Sequence, residues 1–158
     1  MAIISFEHIA PDGETAEIPD GYRDFIWKNF VAADDEVKPN TGLDYAIHSG
    51  EASAFNGFAK PAGFKSPDSA DDFDLNSGFF AAAYTNGLEV KVFGYDDGER
   101  VARKVFTLDQ TQELVTFGRK FDDIDEVKFT ARGGTDADPT DDNPPAHIFA
   151  VDDLFIDF

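Results

Sequence analysis

The stretch LEVKVFGYDDGERVARKVFTL, residues 88–108, constrains the fold more than any other part of the chain. Val90 and Val92 alternate with charged residues on one arm, and Val101 and Val105 keep the same period on the other. A period of two is the signature of a strand with one buried face. Between the arms, Asp96-Asp97-Gly98-Glu99 supplies the turn, so the segment is predicted to be a β-hairpin. A lone hairpin is marginal in water, and its apolar face requires a second layer to pack against.

The remainder of the chain supplies that layer. Strands are expected over 2–9, 44–50, 51–59, 73–85, 111–118, 125–134 and 147–158. FIWKNFV (25–31) is aromatic and expected to pack, while 10–22, 32–42, 60–72 and 135–146 read as loops. Only DQTQELVTF (109–117) carries a weak helical pattern. About eight to ten short strands divided by turn signals indicate an all-β, two-sheet antiparallel β-sandwich. A jelly roll is expected, because the first and last strands are to lie side by side. No repeat or linker interrupts 158 residues, so one domain spans 1–158.

Charge narrows the function. The chain has 32 acids against 13 bases, a net charge of −19. Such a field argues against nucleic acid and membrane insertion, and it attracts cations. With 17 Phe the chain is no disordered acidic tail, and with no Cys it has neither disulfides nor thiolate chemistry. MAIISFEHIAPDG lacks the basic and apolar regions of a signal peptide.

The terminal HIFAVDDLFIDF contains a conflict. Read with period two, Ile148, Ala150, Leu154, Ile156 and Phe158 share an apolar face with Asp152. Asp153 falls on the mixed face, where solvent or an edge can satisfy it. A buried carboxylate must accept hydrogen bonds, pair with a base, or ligate a cation. Calcium suits the last case, since it takes six to eight oxygen ligands.

Several short motifs resemble galactose-binding-like jelly-roll domains, which include families of carbohydrate-binding modules. Val151-Asp152-Asp153-Leu154 resembles their closing strand, Phe6-Glu7 their first strand, and His48-Ser49-Gly50 a turn before an early core strand. The resemblance implies a structural calcium joining first and last strands. Glu7 and Asp152 would supply side chains, with Asp153 beside them and backbone carbonyls near His48. A closer resemblance, to a small secreted bacterial and fungal domain of poorly defined function, runs through most of the chain. It is carried by Ile18–Tyr22, Trp27–Phe30, Ala54–Gly57, Phe73–Ser77, Gly94-Tyr95, Val127–Phe129, Gly133-Gly134 and His147–Leu154.

The functional expectation is a non-catalytic, calcium-binding, extracellular carbohydrate-binding module whose partner is a glycan. Sugar faces stack on exposed aromatics, so Trp27, Tyr84 and Tyr95 are candidates, with Asn86 for hydroxyls and Tyr22 and Tyr45 in reserve. The alternative is a calcium-stabilised structural or adhesive module that meets a matrix component. A carboxylate-based hydrolase is a third reading. It has weak support: there is no G-x-S-x-G or H-E-x-x-H motif, and carboxylate pairs arise by chance in so acidic a chain. Asp74 and the acidic loop 135–143 are lesser candidates for a cation, and the loop reads better as solvated.

Overall fold

The computed structural model describes residues 1–141 and 146–158. In chain order the strands are β1 (Ala2–Ile4), β2 (Thr15–Glu17), β3 (Ile26–Lys28), β4 (Phe30–Asp34), β5 (Ala52–Asn56), β6 (Ala62–Lys65) and β7 (Asp74–Ala82). Then follow β8 (Thr85–Asn86), β9 (Leu88–Asp96), β10 (Glu99–Leu108), β11 (Glu113–Thr116), β12 (Glu126–Arg132), β13 (Thr135–Asp136) and β14 (Phe149–Asp157). One sheet runs β11-β7-β14-β5-β4-β2, with β1 also on β14; the other runs β10-β9-β12-β6-β3; β8 and β13 form a small ribbon. The pairings are antiparallel, and the protein is an all-β sandwich with first and last strands adjacent. No helix among the described residues is long and apolar enough to cross a membrane.

The core lies between the two sheets and is dominated by phenylalanine. Phe30, Phe80, Phe129 and Phe149 meet ring to ring at centroid separations from 5.5 to 6.2 Å. Each such side chain contributes about 1.5–3 kcal/mol on burial, so these rings do much to hold the sheets together.

Several expectations are corrected. Residues 44–50 are not a strand: Gly42–Tyr45 forms one helical turn, α1, and the chain then loops to Gly50. Leu43 and Ala46 pack on Ala81, Ala83 and Ala150, covering the outer face of the larger sheet. Gly42 permits this approach, since a Cβ there would lie 1.7 Å from the Ala82 carbonyl oxygen. The stretch 60–72 is not all loop, because β6 pairs with both β3 and β12. The strand expected over 111–118 is present as β11, and the weak helical pattern of DQTQELVTF is not realised.

The last correction concerns β14 and shapes the site. Phe149 and Val151 enter the core, and so do Leu154 and Ile156. Strict alternation cannot place both pairs on one face. The register slips between Asp152 and Phe155, and Asp153 has a left-handed φ of 45°. A β-bulge has therefore inserted a residue and inverted the parity. Asp152 consequently lies with Ala150 on the outer face, under the 41–50 segment, and not on the core face. The bulge falls where β14 changes partner, from Ala54 and Phe55 of β5 to Ala2–Ile4 of β1.

Candidate functional site: a carboxylate cradle at the strand exchange

The segment His48–Ala52 crosses the place where β5 gives way to β1. Its backbone amides point at carboxylates. His48 N–H and Ser49 N–H donate to Asp152 Oδ2 at 2.8 and 3.0 Å. Glu51 N–H and Ala52 N–H donate to the Glu7 carboxylate at 3.1 and 3.2 Å. Between these pairs sits Gly50, with φ of +68° and its α-carbon against Glu7; a Cβ there would lie 2.3 Å from the Glu7 carboxyl carbon.

Asp153 reaches the same segment by side chain. Its Oδ2 is 2.8 Å from His48 Nδ1, and its Oδ1 accepts the Ser49 hydroxyl at 2.8 Å. The His48 ring stacks flat on Phe79, the cross-strand neighbour of Asp152, with centroids 3.7 Å apart. Asp153 is thus buried and bonded, contrary to the expectation that solvent or a sheet edge satisfies it. Glu7, His48, Asp152 and Asp153 converge on one loop, which shows amides to the acids where carbonyls were expected.

One oxygen is left over. Asp152 is fully buried, and its Oδ1 has no hydrogen-bond partner among the described residues. Burial pushes its pKa up to about 6 against the pull of the Ser49 and His48 amides; the Asp153 carboxylate adds to the rise and the Asp153 amide opposes it. An ionised carboxylate with an orphan oxygen in a dry place is costly, so the site favours a proton or a cation there. A cation there would meet hard oxygens, the ligand type that Ca²⁺ takes, although Glu7, Asp152 and Asp153 do not gather their carboxylate oxygens within 4.8 Å of one another as the next group does.

A second acidic group stands at the β9–β10 turn. Asp72, Asp96 and Asp125 bring carboxylate oxygens within 4.8 Å of one another, an arrangement that can hold a metal ion. Asp125 is buried and accepts Asp97 N–H at 2.9 Å. Burial, then Asp96 and Asp125, push the Asp72 pKa up. Sequence reasoning passes over this group because its members come from three separate segments, and Asp96 reads as turn chemistry. Asp74 lies nearby and accepts Asp123 N–H at 2.8 Å. In the acidic loop, Asp136 and Asp138 accept amides two residues ahead, and Asp142 and Asn143 lie outside the described residues.

The aromatic candidates separate by exposure. Trp27 is 7% exposed, enclosed by Phe6, Phe25, Phe30 and Phe64, and donates its indole N–H to the Tyr22 carbonyl at 2.8 Å. No ring face is left for a sugar. Tyr84 is half-buried beside the small outer cluster around α1, and Asn86 accepts Gln110 N–H at 3.0 Å. Tyr95 is half-buried on the outer face of the smaller sheet, with Lys128 Nζ 4.7 Å from its ring centre.

Phe58 is an aromatic that sequence reasoning does not single out. It is 86% exposed, and both it and Ala59 have left-handed φ values, of 55° and 58°. Asn29 clamps this turn by donating to the carbonyls of Gly57 and Pro61, and Asn56 donates to that of Lys60. Exposed phenylalanine in a strained turn, held by Asn29 from the β3–β4 junction and by Asn56 at the end of β5, is a feature that structure maintains at a cost. The hint in the sequence is Asn56-Gly57, a turn pair inside a stretch that otherwise reads as strand.

No protein-family model matches the chain, and no curated protein matches it in sequence. Its shape is matched by solved structures. A DUF4465 family protein from Bacteroides caccae superposes with a TM-score of 0.57, covering 98% of this chain and 97% of that one at 14% identity. The chain shares that protein's fold. A DUF4465 family protein from Bacteroides ovatus gives a TM-score of 0.48, with 79% and 70% of the two chains covered at 10% identity. TmCBM61 in complex with beta-1,4-galactotriose gives 0.40, with 87% and 93% covered at 8% identity.

Proposed function

We propose that the protein is a non-catalytic, calcium-braced carbohydrate-binding module that works outside the cell. The observation that carries this reading is the orphan Oδ1 of Asp152, fully buried at the exchange point of β14. A calcium ion there supplies the positive charge that three carboxylates otherwise lack. Asp152 Oδ1 is its ready ligand from the bulge; Asp153 and Glu7, bonded to the 48–52 segment in the ion-free form, turn toward the ion when it binds. Closing that seam fixes the first and last strands, so the ion serves the scaffold and carries no chemistry. Extracellular modules bind calcium at about 10⁻⁴–10⁻³ M, with affinity set by ligand charge and site rigidity, and a site of three carboxylates suits that setting. Glycan binding is supported by Tyr95 and Phe58, aromatic surface that the fold leaves accessible although 17 Phe are available to fill its core.

Titration calorimetry with Ca²⁺ tests the reading, using wild type and Asp152→Asn. Wild type takes up one ion at the cradle with sub-millimolar to millimolar affinity, and the variant loses roughly tenfold or more of it. Equal uptake by both proteins moves the ion to the Asp72–Asp96–Asp125 group and removes the brace.

A further inference from the structure

We propose that the outer face of the smaller sheet binds an acidic polysaccharide, one with anionic groups repeated along the chain. This rests on the carbohydrate-binding reading and specifies its ligand. Strand register places Arg103, Phe93, Lys128, Gly63 and Lys28 in one row across β10-β9-β12-β6-β3. The next row is Arg100, Tyr95, Glu126, Lys65 and Ile26. The row between them, from Ala102 to Trp27, is buried, so both outer rows face solvent.

In the first row positive charge recurs on every second strand, about 10 Å apart at twice the strand spacing. That interval is comparable to a disaccharide repeat. Between the charges lie a flat ring at Phe93 and a gap at Gly63. Arg100 covers the Phe93 ring at 5.1 Å and Lys128 the Tyr95 ring at 4.7 Å, so the rings and bases form one surface. A trough of about 430 Å³ runs past Gly63, lined by Ile26, Lys28, Pro61, Lys65, Glu126 and Lys128 and reaching Trp27 at its floor; the glycine lets β6 approach the Val127 carbonyl, which a Cβ would meet at 2.4 Å. The Phe58 turn stands at its Pro61 end, through the Asn29 clamp.

The net charge of −19 argues against a polyanion, but distance decides otherwise. Sheets in a sandwich pack about 10 Å apart, and the Debye length at physiological salt is about 8 Å. Acids on the far sheet are therefore largely screened from a ligand on this face. On the face itself Glu126 pairs with Lys128 at 3.8 Å, and Glu89 with Lys91 and Arg132 at 3.9 and 2.8 Å; the Asp72–Asp96–Asp125 group and Glu99 stand past the second row at the β9–β10 turn, so the first row is the one that takes the anion. Lys28, Lys65 and Arg103 have no ion-pair partner among the described residues. Seven of the 13 bases of so acidic a chain stand on this one face, which points to an anionic partner, and rings alternating with them point to a sugar chain.

The full chain, with calcium present, is titrated against polygalacturonate, dextran sulfate, neutral β-1,4-galactan and single-stranded DNA. The charge-reversed R103E/K128E double variant and Phe93→Ala are run alongside, with circular dichroism confirming their fold. Binding to either acidic polysaccharide, weakened roughly tenfold or more by R103E/K128E and by 0.5 M salt, supports the proposal. Binding to neutral galactan alone overturns it and leaves the carbohydrate reading standing. Binding to no glycan overturns both. DNA bound as tightly as the glycans, or salt-sensitive self-association abolished by the double variant, replaces the glycan with a different occupant and overturns it. Acidic-glycan binding unchanged in the variants overturns the choice of face.

Discussion

His48 and Asp152 are 104 residues apart in sequence, and a 2.8 Å N–H···O bond joins them across the seam between β5 and β1. Ser49 repeats the contact at 3.0 Å, so one carboxylate oxygen takes two amides while the other has no hydrogen-bond partner among the described residues. This asymmetry sets how the protein responds to acid. Burial raises the Asp152 pKa from 3.8 to about 6, so the folded state holds its proton more tightly than the unfolded chain does. Below about pH 4 both states are protonated and Asp152 costs nothing. Between about pH 4 and 6 the unfolded chain ionises first, and stability falls as pH rises. Above that window the penalty is constant, on the order of 3 kcal/mol in metal-free protein. An asparagine side chain cannot ionise, so the Asp152→Asn variant gains on wild type across this window in metal-stripped buffer. Urea unfolding of both proteins from about pH 3.5 to 8 measures the difference, and a difference independent of pH refutes the assignment. Calcium at millimolar concentration restores wild type at neutral pH and leaves the variant unchanged.

Gly50 separates the two acid-binding halves of the loop, and its requirement is steric twice over. An added methyl meets the Glu7 carboxyl carbon at 2.3 Å, and the φ of +68° is costly for any L-side chain. Gly50→Ala is expected to lose about 1–2 kcal/mol to the backbone conformation and a further 1–3 kcal/mol as Glu7 is driven off its amides. A double-mutant cycle separates the two contributions. In a Glu7→Ala background the same substitution costs only the first. Equal costs in both backgrounds would show that Glu7 and Gly50 are not coupled.

The hairpin is legible in the sequence because its alternation is regular and its turn is an Asp-Gly pair. The neighbouring termini are legible through the resemblance and the long apolar ending. The bulge is not. Period-two reading assumes an unbroken strand, and the partner change that accompanies the bulge is a fact about β1 and β5, far away in the chain. The pattern marks Asp152 as anomalous but assigns it to the wrong face, and it releases Asp153 to solvent when the 48–49 segment in fact encloses it. The same limit hides α1, whose single turn is packed so closely that Gly42 touches Ala82. Net charge conceals the basic outer face for a related reason: a sum over the chain carries no information on where the bases stand.

Trp27 supplies the last prediction, and it concerns the smaller sheet. As the chain's one tryptophan, buried among Phe6, Phe25, Phe30 and Phe64, it reports on the core and not on a ligand. Its register partner is Phe64, in the buried row directly beneath the trough. Native emission is expected at short wavelength and unmoved by calcium or saturating glycan, while unfolding shifts it to the red. Trp27→Ala opens a cavity and leaves the Tyr22 carbonyl without its indole donor, costing about 3–5 kcal/mol. Tyr95→Ala removes a half-exposed ring instead, so its cost in stability stays near or below about 1 kcal/mol while glycan affinity falls. Urea midpoints and glycan titrations of the two variants check this division. A stable Trp27→Ala protein that has lost glycan binding would place the sugar on the indole and overturn it.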